Sequence, residues 1–446
     1  MASDHPVVRL GDYVDACLGK MLDAQKNRGE LHPYLGNSNV RWGSFELEAL
    51  STMRFEDHEE ERYGIRDGDL IVCEGGEPGR CAIWRGNAPM KIQKALHRVR
   101  TKAGLDNYFL YYWFLRAGRT GELEPFFTGT TIKHLTGKAL AELRIPLPPI
   151  DLQREAARVL RSLDEKIDLN RRISQTLEAM AQAIFKSWFV DFDPVKAKIA
   201  AKTEGRDPLR AAMSAISGKA EAELDALPPE AFEQLAATAA LFPDEMQASE
   251  LGEIPKGWAF KSLADIAQFA SGKIEVSALT EDLYISTENM LENRAGITRA
   301  SSLPSVATVP SFKAGHILVS NIRPYFKKIW TARFDGGRSP DVLAFEPIDY
   351  LWAEFAYNLM YQDAFFEFMT RTAKGAKMPR GDKDAIMGWR FPCPGGHLMI
   401  AFSETVRPNY AHIESLNSQN KSVSELRDTL LPKLLSGELA VAEVDA

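Results

Sequence analysis

Five blocks of this chain occur twice, in the same order and at nearly constant spacing. Leu10, Asp12, Gly19 and Lys20 return as Leu263, Asp265, Gly272 and Lys273, an offset of 253. Tyr34-Leu35 and Asn39-Val40 return as Tyr284-Ile285 and Asn289-Met290, an offset of 250. Gly68-Asp69-Leu70-Ile71-Val72 returns as Gly315-His316-Ile317-Leu318-Val319 at 247. Gly129 and Arg144-Ile145-Pro146-Leu147-Pro148 return as Gly375 and Arg390-Phe391-Pro392-Cys393-Pro394 at 246. Leu169-Asn170, Glu178 and Lys186 return as Leu416-Asn417, Glu425 and Lys433 at 247. So small a drift over so many landmarks marks a long-period duplication, which sets the architecture before any local reading. Two copies of one plan are expected, and a doubled recognition unit is what a two-part target requires.

Composition narrows the classes further. At 446 residues the chain has room for about two to four domains, and its 45% hydrophobic share is ordinary for a globular protein. No apolar run reaches the ~18 residues of a membrane span. Met1-Ala2-Ser3-Asp4-His5 lacks the basic and apolar regions of a signal peptide. Cys17, Cys73, Cys81 and Cys393 form no CxxC pair and no zinc-like spacing, so reduced thiols, no metal and a cytoplasmic location are expected. The net charge of −7 argues at first against nucleic acid. Yet the segment 221–250 carries Glu221, Glu223, Asp225, Glu230, Glu233, Asp244, Glu245 and Glu250 with no Lys or Arg, and the rest is close to neutral. Local potential decides where a polyanion docks, so DNA stays open, with partners supplying part of the phosphate contact.

Residues 1–148 read as a mixed α/β (α+β) domain, with strands at Leu70 to Val72 and Ala82 to Trp84 and a buried aromatic helix from Asp106 to Arg116. Pro146, Pro148 and Pro149 form a stop. Within 149–190 a long helix is predicted from the N-cap Asp151 to about Trp188. Its seam has 4-3 spacing: Ala156, Leu163, Asn170, Leu177 and Ile184 interleave with Leu160, Ile167, Ser174, Ala181 and Trp188. Asn170 in that seam would fix register at a cost in stability, or sit hydrogen-bonded at a solvated edge. Residues 191–250 are an acidic, Ala-rich connector with small helices between Leu224 and Ala240. Leu251-Gly252-Glu253-Ile254-Pro255-Lys256-Gly257-Trp258 opens the second globular unit, 251–394, and 395–446 hold a second long helix and tail. Val406, Tyr410, Ile413, Leu416, Val423, Leu426 and Leu430 form its stripe, Asn417 matches Asn170, and Pro432 and Gly437 are expected to end or kink it. The two helices are predicted to pair antiparallel, with Leu163, Ile167, Asn170, Leu177 and Ile184 facing Ile413, Leu416, Asn417, Val423 and Leu430.

Catalytic signatures are missing. Thr136-Gly137-Lys138 lacks the upstream Gly and downstream hydroxyl of a phosphate loop, and Gly75-Gly76-Glu77-Pro78-Gly79 reads as a plain loop. Asp191-Phe192-Asp193-Pro194 lacks the Pro-Pro-aromatic of adenine methyltransferases, and Pro340-Asp341 with Glu346 has no following Glu-x-Lys. The chain reads as a recogniser without its own chemistry and without catalytic or metal-binding residues.

Ile145-Pro146-Leu147-Pro148-Pro149 with Leu152-Gln153-Arg154-Glu155, then Ile167 to Ile173 and Leu177 to Phe189, resemble a known family. Tyr284-Ile285-Ser286-Thr287-Glu288-Asn289-Met290 and Leu430 to Leu439 extend the likeness over nearly the whole chain. It is similar to the specificity subunit of type I restriction-modification systems. The resemblance implies two target recognition domains in pseudo-repeat, each followed by a long helix. Each would read half of a bipartite asymmetric double-stranded DNA site, and the antiparallel coiled coil would set the spacing between halves. It implies as partners two modification subunits, which methylate adenine at N6 with S-adenosylmethionine, and restriction subunits, which use ATP and Mg2+. No cofactor is expected in this chain.

DNA-contacting residues are sought among cations, amides and hydroxyls on loops. Gly129-Thr130-Thr131-Ile132-Lys133-His134 and its repeat Gly375-Ala376-Lys377-Met378-Pro379-Arg380 are the candidate phosphate-holding turns. Arg80, Thr130, Thr131, Lys133 and His134 are the candidates in the first unit, and Arg323, Tyr325, Lys327, Lys328, Arg338, Lys377 and Arg380 in the second. The run Lys91, Lys94, His97, Arg98, Arg100 and Lys102 could also line DNA, whereas Tyr111 to Phe114, Phe365, Phe366 and Phe368 read as core. Three other readings stay open: a single-chain methyltransferase or nuclease with drifted motifs, a scaffold binding protein, and a specificity-type subunit of another defence assembly.

Overall fold

The innermost strand of each copy is a run that no solvent-facing strand could carry. Leu70–Cys73 and Ile317–Ser320 are buried at every position. A strand apolar on both faces must be covered on both, and each copy builds two sheets and a set of helices to do so. The structure, a computed structural model, describes residues 5–23, 25–86, 88–250 and 252–439. Leu251, where the second unit was expected to open, and the extreme N-terminus lie outside these. The chain forms two compact units, one of residues up to Arg171 together with those from Asn417 on, the other Arg172–Leu416.

In the first unit the sheet order is Val14–Leu18, Leu96–Thr101, Leu70–Cys73, Cys81–Ile83, all antiparallel. A second sheet runs Ser51–Phe55, Glu30–Leu35, Met90–Ile92, Gly64–Ile65, with one parallel contact, Tyr34 opposite Lys91. The aromatic helix is Asn107–Thr120, capped by Asp106, whose carboxylate accepts from Tyr108 N and Phe109 N at 2.9 Å. It ends at Gly121 in the left-handed region, φ 77°. Tyr111 to Phe114 are buried as expected. Val7–Arg9 pairs with Arg144–Pro146 and closes the unit. Fully buried Gln153 pins the start of the long helix: it accepts from Asp106 N at 2.9 Å and donates to Gly104 O at 3.0 Å and Pro148 O at 2.7 Å.

The second unit repeats the wiring. Its sheet order is Ala267–Phe269, Val342–Pro347, Ile317–Ser320, Ile329–Thr331, and its second sheet is Lys273–Glu275, Thr308–Phe312, Gly336–Arg338, Tyr284–Ile285. The parallel contact recurs, Tyr284 opposite Gly337, as does the closing pair, Ala259–Ser262 with Arg390–Cys393. The acidic connector folds within this unit as helices Asp193–Thr203, Pro208–Ser217 and Pro229–Ala240 and the hairpin Met246–Ser249 with Gly252–Pro255. Its carboxylates are largely matched by cations: Glu221 by Arg206 at 2.5 Å, Asp225 by Arg210 at 2.9 Å, Glu250 by Arg390 at 3.1 Å and Asp244 by Lys202.

The long helices are Ile150–Phe189 and Gly396–Leu435, and they pair antiparallel. In the first unit Asn170 donates to Gln419 at 2.7 Å and Asn420 at 2.9 Å, and Asp164 accepts from Arg427 at 2.8 Å. Ala156 and Leu160 there join Leu431, Leu434 and Leu435 in one apolar cluster. In the second unit Leu177 O accepts from Asn409 at 3.4 Å, Glu178 from Tyr410 at 3.5 Å, and Phe402 packs on Phe185 and Trp188. Ile167 and Leu416 are buried, and Leu163, Leu177, Ile184, Ile413, Val423 and Leu430 are half-buried. Asn417 differs from expectation. Its side chain is exposed, and Gln419 and Asn420 are what answer Asn170. Sequence equivalence to Asn170 does not carry over because an antiparallel pair sets residues by position along the seam, not by copy. The second helix also passes through Pro432 and stops only at Leu435, just before Gly437 at φ 70°. A proline that close to the end removes one hydrogen bond, which the packing of Leu431, Leu434 and Leu435 outweighs.

Candidate nucleic-acid interface

The two glycine loops are closed in the same way. In the first unit Thr128 and His134 exchange backbone hydrogen bonds at 2.8 Å each, and Gly129 turns the chain at φ 95°. A Cβ at Gly129 would lie 2.2 Å from Ile132 O, so only glycine fits. In the second unit Lys374 and Arg380 exchange the equivalent bonds at 2.8 and 2.9 Å, with Gly375 at φ 101°. Each loop then docks on the turn after the innermost strand: Leu135 N donates to Glu74 O at 2.7 Å, and Gly381 N to Asn321 O at 3.2 Å. Each leads into a short capped helix, Gly137–Glu142 with Thr136 and Lys383–Met387 with Asp382. A loop and a strand turn therefore share one face in each unit.

The candidates distribute unequally over that face. In the first unit Thr130, Thr131 and Lys133 are exposed at the loop tip, with Lys133 Nζ 5.9 Å from the Phe127 ring centre. His134 is half-buried over Gly75, where a Cβ would come within 3.1 Å of its Nδ1. Arg80 is engaged within the protein, donating to Glu77 at 3.0 Å and Asn37 O at 3.1 Å. In the second unit Lys377 is exposed, and Arg380 makes a two-pronged pair with Asp341 at 2.9 and 3.2 Å while half its side chain stays in solvent. Arg323 is joined to that loop by its N–H, 2.8 Å from Pro379 O. Tyr325 is 49% exposed, Lys327 pairs with Asp363 at 2.7 Å, and Lys328 donates to Thr287 O at 2.9 Å. Arg338 turns inward and donates to the carbonyls of Val342, Ser311 and Ala270 at 2.5, 3.4 and 3.4 Å, and burial lowers its guanidinium pKa.

Four of the six residues in the basic run are turned to internal use, while Lys94 and Lys102 stay exposed. Arg100 grips buried Asp69 at 2.7 Å through two nitrogens, Arg98 pairs with Asp15 at 2.8 Å, and buried Lys91 pairs with Glu60. Buried His97, its imidazole pKa lowered by burial, contacts Leu135 O at 2.9 Å. One carboxylate of each motif weighed for catalysis is likewise engaged, Asp191 with Lys186 and Asp341 with Arg380. Sequence reading missed Asn293 and Arg294, whose left-handed residues at φ 51° and 63° brace the 321–328 turn from behind. No local signal marks them, because their partners lie over thirty residues away.

Comparison with known proteins places this arrangement. A family model described as the type I restriction modification DNA specificity domain matches residues 3–179. The HindI type I restriction enzyme specificity subunit of Haemophilus influenzae is 32% identical over 330 residues, covering 69% of this chain and 72% of that protein. The MjaIX specificity subunit of Methanocaldococcus jannaschii is 23% identical over 405 residues, covering 84% and 79%. The crystal structure of the type I restriction-modification S subunit from M. genitalium shares the fold, with a TM-score of 0.51 at 15% identity over 97% of this chain and 96% of that one. The chain belongs to the family of type I restriction enzyme specificity subunits. Its role is accordingly DNA sequence specificity in a restriction-modification system. Among the described residues no helix is long and apolar enough to cross a membrane.

Proposed function

We propose that each unit of this chain reads one half of a bipartite, asymmetric double-stranded DNA site. Modification subunits carrying S-adenosylmethionine then methylate adenine N6, and restriction subunits using ATP and Mg2+ cleave unmodified DNA. The chain itself contributes recognition and assembly, in the cytoplasm, and no catalytic group. The observation that carries this reading is the doubled face: the loops at 128–134 and 374–380 share their backbone hydrogen bonds and glycine but not their exposed side chains. Equal backbones with unequal side chains suit two readers of one polymer with different base sequences. Thr130, Thr131, Lys133, Arg323, Tyr325, Lys377 and Arg380 are the contact residues proposed. His134, Lys327 and Lys328 hold the turns in place, and Arg80 and Arg338 act within the protein.

The test is co-expression with the cognate modification subunit in a methylation-free bacterial host, followed by sequencing of methylated adenines. The expected result is one motif with two specified halves and an unread gap. A single continuous motif, or none, contradicts the reading.

A further inference from the structure

Five non-glycine residues among those described adopt left-handed backbone, and four of them meet at one place: Asn293, Arg294, Arg323 and Lys327. Arg323 and Lys327 bracket the turn Pro324–Phe326, at φ 50° each. Asn293 N donates to Phe326 O at 2.8 Å and Arg294 N to Lys327 O at 2.9 Å, so one strained pair rests on the other. Asp363 holds both Arg294 at 2.5 Å and Lys327 at 2.7 Å, and these two cations keep its carboxyl below the usual range. Strain of this kind persists only where surrounding structure enforces it. Here the enforcing contacts present one side chain. Tyr325 stands out from the turn, its ring 4.8 Å from that of Phe326, between buried Pro324 and anchored Lys327. Arg323, two residues before Tyr325, and Lys377, on the loop whose Pro379 O meets Arg323 N at 2.8 Å, have side chains without a protein partner among the described residues.

We propose that Tyr325 is a specificity-determining residue of the second unit, stacking against one base step of the DNA duplex while Arg323 and Lys377 hold adjoining phosphates. The proposal rests on the DNA-reading role given above. An exposed aromatic ring on a braced turn that also carries the unpaired Arg323 has the parts of a stacking contact: a flat face for the bases and charge for the backbone. Inserted rings unstack the step they enter, so preference falls on steps that deform easily, such as pyrimidine–purine. Among the described residues the equivalent turn of the first unit carries no such exposed ring. Its turn runs Gly76-Glu77-Pro78-Gly79-Arg80, with Glu77 taken up by Trp42 at 2.7 Å and Arg80 at 3.0 Å. Only one half-site would therefore be deformed.

The experiment uses the chain assembled with its modification subunits and duplexes carrying the motif found by methylated-adenine sequencing. The fluorescent base 2-aminopurine replaces, in turn, each adenine that is not methylated. The expected result is a several-fold fluorescence rise at a position in one half-site only. Tyr325→Ala removes that rise and weakens binding roughly tenfold, about 1.4 kcal/mol, with the salt slope unchanged. Tyr325→Phe retains both. Arg323→Ala and Lys377→Ala each reduce the salt slope by about 0.9. A defined motif bound by Tyr325→Ala with wild-type affinity and fluorescence overturns this proposal alone. A wild-type complex that methylates no defined motif overturns the reading role, and the proposal with it.

Discussion

The turn after the innermost strand is made of glycine in the first unit and of cations in the second, on similar backbone. Gly76 and Gly79 take φ 73° and 91° at no steric cost, while Arg323 and Lys327 take φ 50° against their own Cβ. The glycine turn is closed over itself, with Gly79 packed on Leu123 and Arg80 tied to Asn37. The cation turn is open, with Tyr325 exposed and the Arg323 side chain unpaired among the described residues. Local stability and recognition pull in opposite directions, and the two copies sit at different points between them.

Exchanging residues between the turns should give the largest effect. Gly79→Lys puts a Cβ 2.4 Å from the Leu123 methyl, in a core where Leu123 is 1% exposed, and adds backbone strain. We expect about 2–4 kcal/mol of destabilisation, read from the denaturant midpoint of the full chain. A loss under ~0.5 kcal/mol would mean the turns are interchangeable. The reverse change, Arg323→Gly, should stabilise by up to about 1 kcal/mol while weakening DNA binding. A gain in both would break the trade-off.

The helix seams offer a second contrast. In the first unit the polar seam positions are an amide cluster at Asn170 and the Asp164–Arg427 pair, whereas the second holds half-buried Glu178 beside Tyr410. Burial raises the Glu178 carboxyl pKa, against opposing hydrogen bonds from Gln182, Tyr357 and Tyr410. A carboxyl whose pKa is raised on folding contributes stability below its unfolded pKa and loses it as pH rises through the folded one. Glu178→Gln keeps the neutral form at every pH. Its melting temperature should therefore exceed wild type at neutral pH and match it more closely at acid pH. An equal shift at both would assign the effect to packing. The smallest expected effect is at the loop tips. Lys133→Ala and Lys377→Ala should each lower the salt slope of DNA binding by about 0.9, and an unchanged slope removes that residue from the phosphate contacts.

Much of this was legible in the sequence where the cause is local. The duplication, both long helices and the apolar strands follow from periodicity. The glycine loops follow from a steric demand that only glycine meets, as the 2.2 Å contact at Gly129 shows. Charged side chains were legible only by half. Arg100, Arg98 and Lys91 have the sequence texture of a DNA-facing strand, yet Asp69, Asp15 and Glu60, distant in the chain, claim them. Arg338 was lost the same way, to three carbonyls. Asn417 failed because a repeat predicts equivalent places in a copy, not partners across an antiparallel seam. Pairing between distant residues decides which cations remain free to meet DNA, and that decision is made only on folding.

In the proposed function each unit reads its own half of the site. The most direct measurement is the methylated-adenine motif produced by the triple variant Arg323→Ala, Tyr325→Ala, Lys377→Ala alongside that of wild type. All three residues belong to the second unit. Base preference is expected to relax in one half of the motif and stay intact in the other, with the gap unchanged. Relaxation of both halves together, or an unaltered motif, would contradict that reading.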